Sequence, residues 1–502
     1  VSAPLTATAV SGEPSNAPVF RNGNFLALWA AQAISQTIQN LTFFTLMVFV
    51  EERTRSSAHM SALVLSTVLP AVLFGVASGV LIDRWNKKWV LIATNALRAV
   101  AVLGYLFLEQ QPILFYALNF TFMTISQFFL PAEAAMIPRI VSRDRLISAN
   151  GLFNITFNLS QVLGFIALGP PLTKAFGTQG TLIGVSVAYV FCSLILVRLP
   201  SDRGQSLGRE GSFFRNVAAE ILAGWRLLRG DVAISLAMLH LTVVTTLTLI
   251  LATLAPGFIS RELNLTAGDT YLVFGPAGLG ILTGSALLTR ISRRYRLLSL
   301  VNVGLVVFGS GLLVTALVPA VERALSGGLL QPGSDALTFT LIVVGITALA
   351  MGIGLAFVNV TAQTILQERA PVDMRGRVFA IQLMFGSLAS IIPLVFAGQL
   401  ADLFGVLLVL GLVGIGVLGI AWFSIRQTRT IRAAVLRAQR EATEAVPSGE
   451  VAPAPAPPAT PASAVGGAQA ANLAGTAEHV PSPPSANGAA EYAADEPRRS
   501  SG

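Results

Sequence analysis

The sequence predicts an all-α integral membrane protein with twelve transmembrane helices in two pseudo-symmetric six-helix bundles. Three observations carry the prediction. Of 502 residues, 53% are hydrophobic and only 12% are charged, with a mean hydropathy of +0.70; a soluble domain carries about 25% charged residues. Apolar runs recur that are long enough for a bilayer core of roughly 30 Å, which takes about 20 residues. These runs fall as six, a polar linker, and six more.

In chain order the runs cover residues 25–50, 60–82, 89–108, 112–135, 147–171 and 176–197, then 231–254, 269–289, 297–319, 336–360, 378–400 and 403–424. The first run is too long for the core of a signal peptide and reads as a retained helix. Pro70, Pro276 and Pro393 do not count against helices, because membrane helices tolerate proline. The expected organisation is a disordered segment 1–20, an N-terminal bundle 21–198, a linker 199–230, a C-terminal bundle 231–425 and a tail 426–502. The second half of the linker, FFRNVAAEILAGWRLLRG, has apolar residues near helical spacing and is expected to lie on a membrane surface. The tail is mostly Ala, Pro, Ser and Gly, too poor in large apolar residues to fold.

Charge placement sets orientation. Of the 33 Lys and Arg, 27 fall on one side of the predicted spans, five on the other, and Arg98 lies inside a helix. The positive-inside rule then puts both termini and the linker in the cytoplasm, in a cell (inner) membrane. The net charge of +8 is this signal, with anionic lipid as the partner rather than nucleic acid. Cys192 is the single cysteine, so no intrachain disulfide is available. His59, His240 and His479 lack metal-ligand spacing. GIGVLG, Gly414 to Gly419, matches a dinucleotide fingerprint but follows no strand, and reads as close helix packing. No phosphate-binding loop and no nucleophile–base cluster occur. No cofactor, no metal and no enzymatic activity are expected.

The halves resemble each other. Gly75 and Gly79 align with Gly280 and Gly284, and Gly169 with Gly398, with the offset absorbed by a longer loop near 320–335 in the second half. Half repeats of this kind mark transporter folds.

Between the second and third runs lies GVLIDRWNKK, Gly79 to Lys88. Its pattern, G-x-x-x-D-R-x-N-K-K, resembles the loop signature of the major facilitator superfamily, with Asn86 where glycine is usual. Asparagine tolerates left-handed backbone, so the turn is expected to survive. The resemblance covers roughly residues 20–425. It implies a cytoplasmic latch: Gly79 allows close helix approach, Asp83 faces a helix N-terminus in the second half near Gly376 to Phe379, and Arg84 and Lys87 pair with acids or lipid phosphates. For Lys87 and Lys88, the alternative is that they only fix topology. The counterpart from Gly284, GSALLTRISRRYR, keeps the bases but has no acid, so the latch is expected to be one-sided. TNALRAV, FFLPAEAAMIPRIV and RGRVFAIQLMFGSLASIIPLVFAGQLAD are similar to the branch that contains enterobactin exporters and macrolide-efflux proteins, which implies efflux.

Ionisable residues at membrane depth are read as functional. Arg98 sits roughly 13 Å into its helix and could pair with Asp83 or Glu133, of which Glu133 is favoured, stabilise a closed gate, or contact an anionic group, in a coupling or gating role; the alternative for Arg98 is a side chain reaching back to the interface. His240 titrates near neutrality and is a coupling candidate, against a purely hydrogen-bonded role. Gln32, Gln36, Gln39 and Asn40 share one helix face and read either as a cavity lining or as interhelical hydrogen bonding; the superfamily resemblance implies that the first helix faces the cavity, so lining of a substrate cavity is expected, with Asn119, Gln127 and Asn359 as weaker candidates. Asn154, Asn158 and Gln161 share a face of the fifth helix, with the same two readings; the superfamily resemblance implies that this helix faces the other half, so interhelical packing is expected. No acid lies in the middle of any span, which suits neutral, amphipathic or weakly anionic substrates.

The function expected is proton-coupled secondary transport, an antiporter exporting a hydrophobic or amphipathic small molecule of the drug or siderophore class by alternating access, with multidrug specificity and a monomeric state. An importer or lipid transporter of the same fold, or a non-transporting receptor or scaffold, are the alternatives.

Overall fold

The structure, a computed structural model, describes residues 19–108, 111–201, 232–292, 294–325, 334–369 and 375–444. The expected amphipathic helix of the linker and the expected disordered segments lie outside these residues, apart from the short turn at 19–21 and the start of the tail. The chain divides into two units, Val1–Gln439 and Arg440–Gly502, and the first holds all the crossings described below.

Among the described residues there are thirteen α-helices and no strand. They are α1 (Gly23–Thr54), α2 (Ser57–Arg84), α3 (Lys87–Gly104), α4 (Pro112–Ser126), α5 (Phe129–Ile140), α6 (Leu146–Val162), α7 (Gly169–Leu196), α8 (Val232–Gly257), α9 (Tyr271–Ile291), α10 (Leu297–Leu325), α11 (Ser334–Arg369), α12 (Arg375–Phe404) and α13 (Val406–Glu444). Among the described residues, eleven stretches are apolar and long enough to cross a membrane, and one of them, Arg143–Leu196, is 54 residues long. Straight, it would reach roughly 80 Å. It breaks at Gly177, where φ is 67°, a left-handed backbone that glycine adopts without a Cβ penalty. The stretch therefore makes two crossings, and the total is twelve.

Several irregularities have local causes. The fourth crossing splits into α4 and α5 at Gln127–Phe128; Pro131 cannot donate to the Gln127 carbonyl and its ring crowds it. The fifth crossing widens into a π-turn, Leu163–Leu168, just before Pro170 and Pro171, which remove two further donors. A second π-turn, Phe258–Glu262, ends the seventh crossing. α10 extends through Leu325, into the stretch expected to be a loop.

Helix starts follow capping rules. The Asn22 Oδ1 accepts from the backbone N–H of Asn24 and Phe25, each at 3.1 Å, satisfying two of the donors that open α1. Asn86 does the same for α3, accepting from Trp89 N–H at 3.4 Å. Its φ of −70° and ψ of 112° are extended. The left-handed turn expected at Asn86 is thus corrected: asparagine stands there as a helix cap.

The N-terminal half buries two apolar clusters. One is built around Leu46, Met47, Phe122 and Tyr189, the other around Phe25, Leu28, Phe129 and Met136. The C-terminal half packs Leu254, Phe308, Val344 and Val417 into a large cluster. Gly414 meets the Gly309 carbonyl and Leu313, whereas no described atom lies within 4 Å of a Cβ built on Gly416 or Gly419, so within GIGVLG the close helix contact is at Gly414. Large apolar side chains such as Ile346, Ile392 and Leu403 remain exposed on the outside, where a bilayer solvates them. The end of the molecule that carries most of the Lys and Arg is called the basic end below, and the opposite one the far end.

Candidate functional site

A polar network joins the two halves at the far end. Ser56 caps α2 with extended backbone, and its Oγ accepts from His59 N–H at 3.3 Å. The first N–H groups of α2 have no partner within the helix. Asp402, near the end of α12, supplies one. Its carboxylate accepts from Ser57 N–H at 2.7 Å, Ala58 N–H at 2.9 Å and Ser56 Oγ at 2.6 Å. An acid at a helix N-terminus also meets the positive end of the dipole. One turn before Asp402, a Cβ on Gly398 would collide with the Ser57 carbonyl and Ser61 Oγ; only glycine lets the helices come this close. Ser61 Oγ in turn donates to the Leu394 carbonyl at 3.0 Å.

Arg261, on the π-turn after α8, closes the network. Its guanidinium lies 3.3 Å from Asp402 and 3.5 Å from Glu51 of α1, and donates to Ser57 Oγ. Glu51 is only 1% exposed. Its Oε1 accepts from Ser260 Oγ at 2.6 Å, while its Oε2 is buried without a partner. Nearby, Phe165 of the first π-turn meets Phe274 edge-on at 5.0 Å. Lys174 and Asp269 pair at 3.6 Å, but the lysine side chain is 70% exposed, so this pair adds little.

The basic end of α2 differs. Among the described residues no atom lies within 4 Å of a Cβ built on Gly75 or Gly79. Among the described residues the close helix approach is found at Gly398 and not at Gly79. The side chain of Asp83 and most side chains of the expected partner region, Gly376 to Phe379, lie outside the described residues. Arg84 is exposed and Lys87 is buried.

Inside the N-terminal half, Arg98 is 1% exposed. Its guanidinium packs over the Phe129 ring at 4.9 Å and the Tyr189 ring at 5.8 Å, and donates to the Ser126 carbonyl at 3.2 Å. It does not reach back to an interface. Its Nε and Nη1, together with Glu133 Oε1 and the Tyr189 hydroxyl, are buried without hydrogen-bond partners. Glu133 is 2% exposed and interacts electrostatically with Arg98.

The amides divide differently from the expectation. Gln32 is buried and donates to the Phe153 carbonyl at 3.4 Å. Gln36 is buried, while Gln39 and Asn40 are half-buried; Asn40 donates to the Gln36 carbonyl at 2.8 Å, and a Cβ on Gly164 of the π-turn would strike its Cβ. This face of α1 packs in part on the fifth crossing. Asn119 is fully buried: it donates to Ser66 Oγ at 2.8 Å and Thr67 Oγ1 at 3.0 Å, and accepts from Tyr105 OH at 3.0 Å. A cavity role for Asn119 is corrected, because the hydrogen-bonding groups of its amide are engaged between helices. Conversely, Asn154, Asn158 and Gln161 are exposed rather than packed between helices, and Asn158 donates within its own helix to the Asn154 carbonyl at 2.8 Å. Asn359 accepts from Gln363 Nε2 at 2.9 Å, and Gln127 is half-buried at the break between α4 and α5. His240 is fully buried within the C-terminal half, with Nε2 2.9 Å from Ser424 Oγ.

The C-terminal half also holds a partly open cavity of about 170 Å³, lined by Leu251, Phe274, Ala277, Phe308, Met351 and further apolar groups, among them the exposed Ile281. Its two threonines donate to helix carbonyls, Thr248 to Val244 and Thr315 to Gly311, each at 2.9 Å, so the wall offers no free donor.

Sequence reading missed Asp402, Ser57 and Arg261. The signal was present: Gly398-x-x-x-Asp402 repeats the spacing of Gly79-x-x-x-Asp83, and Ser56-Ser57 is a helix-start signature.

Known proteins resemble this chain in sequence and in fold. The profile of the Major Facilitator Superfamily matches residues 28–394. An uncharacterized MFS-type transporter of Bacillus subtilis, YfiS, is 26% identical over 78% of this chain and 89% of its own. Macrolide efflux protein A of Streptococcus pyogenes is 24% identical over 76% of this chain and 90% of its own. Among solved structures, the nucleoside transporter NupG superposes with a TM-score of 0.61 over 80% of this chain and 98% of its own, at 12% identity. An inward-facing, unoccupied bacterial homologue of the lysosomal transporter Spinster gives 0.59 over 82% and 98%, at 14% identity. At these identities the structures speak to fold alone.

Proposed function

Because the chain belongs to the Major Facilitator Superfamily, we propose that it is a proton-coupled secondary active exporter of a hydrophobic or amphipathic small molecule, working by alternating access as a monomer. The observation that carries this reading is the engaged far-end network of Glu51, Arg261, Asp402 and the start of α2. The charge distribution supports a far end outside the cell membrane, and in this reading the conformation is closed to the exterior and faces the cytoplasm, the state in which an exporter loads. Exposed amides at Asn154, Asn158 and Gln161 support a wet cleft at the basic end, since amides in hydrocarbon lack partners. Gln36, Gln39, Gln127 and Asn359 are the remaining candidates for contact with substrate.

Glu133 is the coupling residue in this reading, with Arg98 as its electrostatic partner. A buried carboxyl with an unpartnered oxygen has room to take up a proton, and the neighbouring guanidinium senses the change of charge. Asp83, Arg84 and Lys87 form the cytoplasmic gate. The substrate class is supported by the macrolide-efflux relative and by the absence of a mid-span acid to attract strong cations.

The test is efflux from cells stripped of their own exporters, with a panel of a macrolide, a dye, a catechol siderophore and a fluorescent lipid, each with and without a protonophore. Lower accumulation, lost with the protonophore and in Asp83→Asn and Glu133→Gln, supports the reading and names the substrate class. No difference across the panel, with the protein present in the membrane, overturns export of these classes.

A further inference from the structure

We propose that α2 and α12 carry reciprocal latches, one at each end of the same helix pair, and that Gly398 and Asp402 form the far-end latch. The two helices are antiparallel, so the C-terminal end of each lies beside the N-terminal end of the other. Both end in the same five-residue spacing, Gly79-x-x-x-Asp83 and Gly398-x-x-x-Asp402. A separation of four places the glycine and the acid on one helix face. The glycine brings the helices together, and the acid one turn later reaches the partner's unpaired N–H groups.

At the far end every part is in contact. Gly398 lies against the Ser57 carbonyl, and Asp402 takes the N–H groups of Ser57 and Ala58 and the hydroxyl of Ser56. At the basic end Gly79 has open space beside it among the described residues. One latch is engaged while, among the described residues, the approach needed by the other is not made, as expected when two helices of 28 and 30 residues pivot about a shared crossing. Arg261 holds the far-end acid from the side and ties it to Glu51 across the halves. The equilibrium between inward- and outward-facing states is then a difference between two similar latches. Asp402 is a positioning residue for that equilibrium; it touches no substrate. This inference rests on the alternating-access reading, but not on the direction of transport or on any substrate.

The test reads accessibility without substrate, in proteoliposomes, with a membrane-impermeant maleimide. The single native thiol, Cys192, is buried and gives a low background. One reporter is Ala252→Cys, on a residue packed against the N-terminal half's cluster at the far end. The other is Asn158→Cys, on the exposed face of α6. Asp402→Asn is expected to raise far-end labelling about ten-fold and to lower basic-end labelling. Asp83→Asn does the reverse, and the double variant returns toward the parent. Ser57→Pro deletes one N–H at the first helical position, where proline is tolerated, and should act like Asp402→Asn; Ser57→Ala keeps that N–H and should move labelling less. If Asp83→Asn shifts the balance while Asp402→Asn and Ser57→Pro do not, the far-end latch is overturned and alternating access stands. If no variant shifts either reporter, both fall. Detergent-extracted protein with an unchanged melting profile excludes misfolding as the cause of a shift.

Discussion

Replacing Arg261 with methionine removes the only cation seen between Glu51 and Asp402 among the described residues. Two unit charges about 3.5 Å apart at an effective dielectric constant near 20 attract by roughly 5 kcal/mol, and most of this is offset by desolvation. Removing one partner of a buried pair costs about 3–5 kcal/mol; the Arg261 side chain is 24% exposed, which lowers the expectation to about 2–3 kcal/mol through solvent screening. The cost falls on the closed far end alone, so the ratio of closed to open far ends should drop about 30- to 160-fold. Glu51, 1% exposed, bears most of it, since Asp402 retains three donors on α2. The double variant Glu51→Gln/Arg261→Met has no orphaned carboxylate on α1 and should recover most of the loss, with an interaction energy of about 1–3 kcal/mol. Labelling of the Ala252→Cys reporter in the parent, both single variants and the double variant measures the cycle. If the two single effects add to within about 0.5 kcal/mol, Arg261 does not serve Glu51 and their pairing is refuted.

Asn119→Ala leaves the Tyr105 hydroxyl and the hydroxyls of Ser66 and Thr67 without their partner, and should destabilise the protein by about 1–3 kcal/mol; a lowered melting temperature with unchanged substrate affinity checks it, and altered affinity with normal melting would return Asn119 to the cavity. Asn86→Ala removes the cap of α3 at a cost of about 1 kcal/mol, visible as faster amide exchange at Trp89 in the first turn. His240→Gln should leave the pH profile of transport in place, because the ring is buried against Ser424 on the inside of one half; a profile displaced by a unit or more would restore it as a coupling group.

The fold was legible because membrane helices write themselves in composition. Length, apolar runs and Lys/Arg placement are properties of single segments, and the break at Gly177 confirms a boundary that the sequence read to within two residues. The site was less legible because it depends on pairs. Asn119 and Asn154 are chemically alike, yet one is an interhelical hub and the other is exposed; helix phase alone does not say which neighbour each face meets. Asn86 was read through its backbone tolerance, although its side chain as a cap is what the chain uses. Asp402 was hidden by comparing the halves through their internal repeat, which pairs loops at the same membrane face. The relation the structure displays runs between opposite ends of α2 and α12, and no half-to-half alignment aligns those.

The apolar cavity in the C-terminal half gives that bundle room to repack. A void of about 170 Å³ corresponds to about 100 mL per mole, comparable to the whole volume change on unfolding of a small protein. A conformational step that fills even half of it would be favoured by about 1 kcal/mol for each kilobar of hydrostatic pressure. The groove of the N-terminal half, lined by Trp85, Trp89 and Phe128, lies open at the surface; solvent or lipid fills it, and pressure gains little there. Pressure therefore acts on the two bundles in proportion to the space that each leaves unfilled.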